Sequence, residues 1–173
     1  MDINRKYGFE PIVSSNTEIL VIGTLPGGES LRKGQYYADY DNLFWDIIIR
    51  VLDENWNNYL LVQEELGYRE RCDFLLKKKI GLWDVLASAE RESSSDNKIR
   101  NPEYNEFASF FENHKKIDKL IFNGKKSYIF FKKEYLSLLH KYEYAILNST
   151  SPQNSTNSFW ILKEWKKAII NAT

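Results

Sequence analysis

Four short apolar runs alternate along this chain with segments of helical periodicity, and that alternation limits the folds open to it. Glu18-Ile19-Leu20-Val21-Ile22-Gly23 is apolar through its middle and closed by glycine, the pattern of a strand buried on both faces. Ile80–Leu86, running into a short turn, Lys119–Phe122 and Tyr142–Leu147 read as three further strands. Asn42–Leu52 places Leu43, Phe44, Ile47, Ile48 and Val51 at helical spacing, with Asp41 or Asn42 available as the cap. Further helices are expected over Leu60–Leu66, Arg69–Lys78, Tyr104–Asn113, Lys125–Lys133 and Ser158–Ile170, and loops over Ser93–Asn97 and Asn148–Asn157. Strands separated by helices predict an α/β fold, a three-layer α/β/α sandwich around a central four-stranded, mostly parallel sheet. With 173 residues and no repeat, long linker or low-complexity tract, residues 1–173 are expected to form a single domain.

In such sheets ligands bind outside the carboxyl ends of the strands. The segments that follow those ends are Thr24–Tyr40, Asp84–Ala87, Asn123-Gly124 and Asn148–Asn157. The first opens with Gly23-Thr24-Leu25-Pro26-Gly27, a glycine-bounded turn whose backbone amides can approach a ligand closely. Taken alone it is equally well a tight turn between strand and loop. It is not a P-loop, since no Gly-Lys-Ser/Thr follows, nor a dinucleotide fingerprint, since the third glycine and the immediate helix are missing.

Composition removes several classes of function. Lysine plus arginine equals aspartate plus glutamate, 24 against 24, which argues against a protein that coats DNA indiscriminately. It leaves room for one that touches a few phosphates around a single nucleotide. One cysteine, Cys72, and two histidines, His114 and His140, cannot build a disulfide framework, a zinc site or an iron–sulfur cluster, so no metal and no cofactor is expected. Cys72 reads as a packed thiol on a helix. No window approaches eighteen apolar residues and no apolar stretch backs Met1–Lys6. A cytoplasmic monomer without membrane partners is expected, and the sequons at Asn148, Asn154 and Asn171 read as accidents of composition.

Several separated motifs carry a family resemblance. Gly23-Thr24-Leu25-Pro26-Gly27, then Tyr37, then Asn42-Leu43-Phe44-Trp45, resembles motif one of the mismatch-specific uracil-DNA glycosylases, which reads GINPG, an aromatic, then Asn-x-Phe-Trp. Gly81–Ser88 with Glu90-Arg91-Glu92, Phe122–Lys126, and Ser149-Thr150-Ser151-Pro152-Gln153-Asn154 are similar to the DNA-deoxyinosine (hypoxanthine-DNA) glycosylase branch of that superfamily. The likeness spans from about Leu20 to Trp165. It implies hydrolysis of the N-glycosidic bond of deaminated bases in DNA, hypoxanthine with uracil or xanthine, after the nucleotide is flipped from the helix.

The resemblance also implies roles for individual residues. Leu25 stands where GINPG has its water-positioning asparagine; the hypoxanthine branch uses the asparagine of Asn-x-Phe-Trp, which is Asn42 here. The residues alone also allow Asn42 to be a helix cap, and the two readings are compatible. Tyr37 would stack on the extruded base. Gly23, Thr24, Leu25, Pro26, Gly27, Gln35 and Asn123 would border the base with it. Asp84 occupies the position that reads the base edge in related enzymes; a cap, or an ion pair with Arg91, is the equal alternative. Ser151, Pro152, Gln153 and Asn154 correspond to motif two, which pinches the DNA backbone and fills the space left by the flipped nucleotide. Gln153 departs from the small residue usual there. Lys125, with Lys126, opens a helix at the sheet's carboxyl edge, where a phosphate is welcome. Two alternatives stay open: a glycosylase whose main substrate is uracil in mismatches or single strands, and a non-catalytic binder of lesion DNA on the same fold.

Overall fold

All four apolar runs pair into one parallel sheet. The structure, a computed structural model, describes residues 5–53, 62–154 and 158–170. Its strands are β1 (Arg5–Tyr7), β2 (Ile19–Gly23), β3 (Ile80–Asp84), β4 (Leu86–Glu90), β5 (Arg100–Tyr104), β6 (Lys119–Asn123) and β7 (Glu143–Leu147). Its helices are α1 (Gly28–Lys33), α2 (Phe44–Leu52), α3 (Val62–Glu65), α4 (Tyr68–Lys77), α5 (Phe107–Asn113), α6 (Lys125–Leu139) and α7 (Ser158–Ile170). The parallel sheet has the order β3-β2-β6-β7. Its register sets Gly23 beside Asp84 and Asn123 beside Leu147, so the four strands end at one rim.

Consecutive residues of a strand point to opposite faces, and the core divides accordingly. Leu20, Ile22, Leu120 and Phe122 meet the aromatic face of α5 and α6, with Phe107, Phe111 and Phe131. Val21, Leu82 and Ile121 meet α2 and α7, with Phe44, Ile48 and Trp165. Side chains such as Phe44, Ile48 and Phe122 are wholly withdrawn from water, each contributing about 1.5–3 kcal/mol by burial. Helices on both faces of a parallel sheet give the expected α/β/α sandwich.

A second sheet was not expected. β1, β4 and β5 form an antiparallel sheet in the order β1-β4-β5. The strand anticipated over Ile80–Leu86 therefore breaks at Val85, and the chain continues into β4. Tyr104 ends β5 rather than opening a helix, and the anticipated loop Ser93–Asn97 runs into a 3-10 turn at Asp96–Lys98. The sequences of β4 and β5, Leu-Ala-Ser-Ala-Glu and Arg-Asn-Pro-Glu-Tyr, are poor in β-branched residues and carry no strand signature. Pro102 is tolerated because β5 is an edge strand, where a missing N–H breaks no ladder. Contacts distant in sequence hold the sheet: Ser88 Oγ donates to Glu103 Oε2 (2.5 Å) and accepts from Arg5 Nη1 (2.6 Å).

Other boundaries move by a few residues. Helix α6 continues past Lys133 to Leu139, departing from helical geometry at Tyr135, whose hydroxyl reaches the Asn105 carbonyl. Leu60 and Leu61 of the expected second helix, Ser155–Asn157 of the polar loop and the sequon residue Asn171 lie outside the described residues. Cys72 is half-buried on α4. Among the described residues no helix is long and apolar enough to cross a membrane, and no group of three or more His, Cys, Asp or Glu is placed to hold a metal ion.

Candidate functional site

All four segments at the carboxyl rim border one cavity of about 690 Å³. Its floor is where β2 and β3 end. Gly23 has no side chain there because two others occupy the space. A Cβ built on it would collide with Oδ1 of Asp84 and stand 3.0 Å from the Tyr37 hydroxyl oxygen. Asp84 is buried, and among the described residues its Oδ2 has no hydrogen-bond partner. Burial, and then the nearby Asp96 carboxylate, push its carboxyl up to about 7, while Arg91 pulls the other way. Tyr37 holds a left-handed backbone conformation (φ 53°), which costs a residue with a Cβ about 1–3 kcal/mol. The flanking bonds Trp45 Nε1–H to Tyr36 O (2.9 Å) and Ala38 N–H to Ser30 Oγ (3.1 Å) hold it there. One face of the Tyr37 ring stacks on Phe44, centroids 4.0 Å apart. Its phenol is raised by burial and by Asp84, with an opposing hydrogen bond to Asn123.

The turn between β2 and α1 is buckled in place from the second sheet. Carbonyls of Gly23 and Thr24 accept from the amides of Val85 (2.9 Å) and Leu86 (3.1 Å). The carbonyls of Leu25 (3.3 Å) and Pro26 accept from the buried Arg91 guanidinium, which also pairs with Asp96 (3.2 Å). A trans peptide sets its N–H opposite its C=O. The amides of Leu25 and Gly27 therefore face away from β4 and Arg91.

The opposite wall is tied together by one side-chain pair. Asn123 Nδ2 donates to Thr150 Oγ1 (2.9 Å) and its Oδ1 accepts the Thr150 amide (3.0 Å). The Thr150 carbonyl in turn accepts the amide of Leu43 (3.0 Å), just before α2. This links the loop after β7 to the entry of α2, where Asn42 borders the cavity. Asn42 Oδ1 accepts the Phe44 amide (3.0 Å), so the capping role is real, exerted from one residue before the helix's own cap position. Gly124 (φ 104°) makes the next turn, and a Cβ there would stand 3.1 Å from that of Ser149. In the loop itself Pro152 and Gln153 are exposed, whereas Asn154 Nδ2 folds back to donate to Ser149 O (2.6 Å). Lys125 and Lys126 are exposed at the start of α6, on the same rim.

Comparison with known proteins places this arrangement. The model of the uracil DNA glycosylase superfamily matches residues 10–172. The chain belongs to the uracil DNA glycosylase superfamily. Two relatives named hypoxanthine DNA glycosylase share much of its sequence. The one from Methanosarcina barkeri is 38% identical over 152 residues, covering 87% of this chain and 89% of the relative. The one from Methanosarcina acetivorans is 36% identical over 163 residues, 93% and 96% of the two chains. A solution NMR structure of a candidate uracil DNA glycosylase from M. acetivorans superposes with a TM-score of 0.80 at 34% identity, covering 96% of this chain and 98% of that one.

Within this glycosylase fold most residues singled out by sequence come together. Gly23–Gly27, Tyr37, Asn42, Asp84, Asn123, Lys125 and Ser151–Asn154 all border the one cavity. Gln35 does not; it lines a separate depression behind the Tyr36–Tyr37 segment. Leu25 borders the cavity but is also a buried member of the core cluster that holds Val85 and Leu86. The ion pair considered for Asp84 is made to Arg91 by Asp96 instead. Tyr36 is a core residue whose hydroxyl donates to the carbonyls of Phe9 and Glu10. Sequence reasoning missed Asp96 and Thr150. Asp96 stood in a stretch read as bare loop, and only the return of the chain over β4 gives it a partner. Gly23→Ala is expected to destabilise the fold by about 1–3 kcal/mol through overpacking against Asp84 and Tyr37. Urea unfolding measures this, and an unchanged midpoint would mean that the two side chains give way freely.

Proposed function

We propose that this chain is a monofunctional DNA glycosylase that hydrolyses the N-glycosidic bond of deaminated bases in DNA, hypoxanthine foremost, in cytoplasmic base excision repair. The observation that supports this reading above the rest is the convergence of Tyr37, Asp84 and Asn42 with the loop Ser151–Asn154 on one cavity, in a member of this superfamily. The flipped base enters between the turn Gly23–Gly27 and the loop after β7. It stacks on the face of Tyr37 opposite Phe44, an arrangement worth about 1–3 kcal/mol per base. Amides of Leu25 and Gly27 act on the charge that develops on the departing base. Asn42, with its Oδ1 already steadied by the Phe44 amide, holds the attacking water beside C1′.

The chemistry balances without any further group. Water oxygen bonds to C1′, the electron pair of the glycosidic bond leaves with the base, and Asp84 supplies the proton that a purine leaving group takes up. The water's proton restores the Asp84 carboxyl. Gln153, exposed at the loop tip, fills the gap in the helix, while Asn154 keeps the loop folded. Lys125 contributes to one backbone phosphate.

The test is a panel of duplexes carrying deoxyinosine, deoxyuridine or deoxyxanthosine, scored for abasic product. The expected order places deoxyinosine first. Tight binding to all three with no abasic product after long incubation at high protein concentration would remove the enzymatic reading.

A further inference from the structure

Among the described residues two arginines are buried, and they are treated differently. Arg91 donates to two carbonyls and a carboxylate. Arg71, on α4, is 5% exposed, yet among the described residues its Nε and Nη1 have no hydrogen-bond partner. Its guanidinium lies over the rings of Trp45 (4.9 Å) and Tyr68 (5.5 Å). Ring faces attract a desolvated cation by about 2 kcal/mol, but they take up none of its in-plane N–H groups. Burial holds the group below its usual value, and no carboxylate is among the neighbours that oppose this. A buried charge left with open donors is a costly arrangement unless something else completes it.

Arg71 also borders a second cavity, of about 320 Å³, although its Nε and Nη1 are themselves sealed from solvent. Lys33 lines it too, with its ammonium using one donor on the Ala38 carbonyl (3.1 Å), and Gln35 adds a carboxamide. Among the described residues that line the cavity one is acidic, Glu64, and it is engaged by the Tyr40 hydroxyl (3.1 Å). Among those same residues two cations stand against one carboxylate. A cavity lined by a guanidinium, an ammonium and a carboxamide offers the donors that a tetrahedral oxyanion takes.

We infer that this second cavity is a binding site for a phosphate group, held by Arg71 and Lys33. The segment Gln35–Tyr40 separates it from the cavity at the sheet rim: Gln35, Ala38 and Tyr40 face the phosphate site, whereas Tyr36 and Tyr37 border the other. An occupant therefore braces, from behind, the strained backbone that presents Tyr37. Two sources supply the chemistry, a backbone phosphate of DNA or a free phosphate. The DNA source rests on the glycosylase reading; the free source does not.

Both are tested on the full chain. Inorganic phosphate is titrated against chloride at equal ionic strength while Tm is followed. A free-phosphate site raises Tm saturably, by about 2–4 °C at a concentration some five times its Kd, and the rise disappears in Arg71→Gln and Lys33→Ala. A DNA-phosphate site leaves Tm unmoved but lowers the slope of log affinity against log salt by about one in the same variants. Lys33 is exposed, so Lys33→Ala keeps the test decisive should Arg71→Gln fail to fold. No phosphate-dependent Tm shift in the wild type, together with an unchanged salt slope in a folded variant, overturns the site. Excision measured in parallel keeps that failure separate from a failure of the glycosylase reading.

Discussion

Replacing Asn42 by alanine is expected to slow base excision by about 10²–10³-fold while the chain remains folded. The competing explanation is structural, because Asn42 Oδ1 accepts the Phe44 amide at the entry of α2. Magnitudes separate the two. Losing a cap costs about 1 kcal/mol, and a domain with about 5–15 kcal/mol of stability stays almost wholly folded after such a loss. A hundredfold fall in rate therefore has to come from the reacting atoms. Asn42→Ser sharpens the comparison, since a serine hydroxyl can still accept the Phe44 amide but cannot reproduce the carboxamide's reach. Single-turnover excision of deoxyinosine should fall in both variants, with thermal unfolding close to wild type for the serine. Full activity in Asn42→Ser would reduce Asn42 to a cap.

The second large effect concerns Asp84. If its neutral carboxyl supplies the leaving-group proton, hypoxanthine excision requires the protonated form. Activity should then fall about tenfold per pH unit above about 7, where the buried carboxyl ionises. The groups facing it are the Tyr36 and Tyr37 phenols, both raised by burial, with Asp96 pushing its pKa up and Arg91 pulling it down. Asp84→Asn should remove the alkaline fall and lower the plateau by about 10²–10⁴-fold. Uracil, which leaves as an anion spread over two carbonyls, should lose less. An alkaline fall that persists in Asp84→Asn would assign it to another group.

The same carboxyl links pH to stability, with a definite sign. Its folded value of about 7 lies above its ordinary 3.8, so the folded chain keeps the proton that the unfolded chain has already released. Stability from this group is complete below about 4 and is lost as pH rises to about 7, with no further change above. Asp84→Asn lacks that loss. Its Tm relative to wild type should climb across the window and then level off, a pattern that differential scanning calorimetry at several pH values reads directly.

Gln35 illustrates where sequence order misleads. It sits two residues before Tyr37, yet the positive φ at Tyr37 and the burial of Tyr36 turn neighbouring side chains into different cavities. Asp84 shows the opposite case. Its place at the end of a buried strand was legible from the apolar run before it, but its unpartnered Oδ2 and its closeness to Tyr37 follow from the β2–β3 register. Asp96, which takes Arg91 as its partner, was unreadable because the antiparallel sheet that carries the chain back depends on pairings that leave no periodic trace.

By itself the sequence determined the parallel sheet, its covering helices and the rim at which chemistry belongs. Burial on both faces demands continuous apolar strands, as in β2, β3 and β6, and glycine at a strand end marks where the backbone must turn sharply. The superfamily motifs were likewise carried in local order, from Gly23–Gly27 to Ser151–Asn154. Only the tertiary structure decided which side chains share a cavity, which carboxylate holds Arg91, and which arginine is left open. Those outcomes depend on desolvation and on contacts between residues tens of positions apart, and neither quantity is a property of a local stretch of chain.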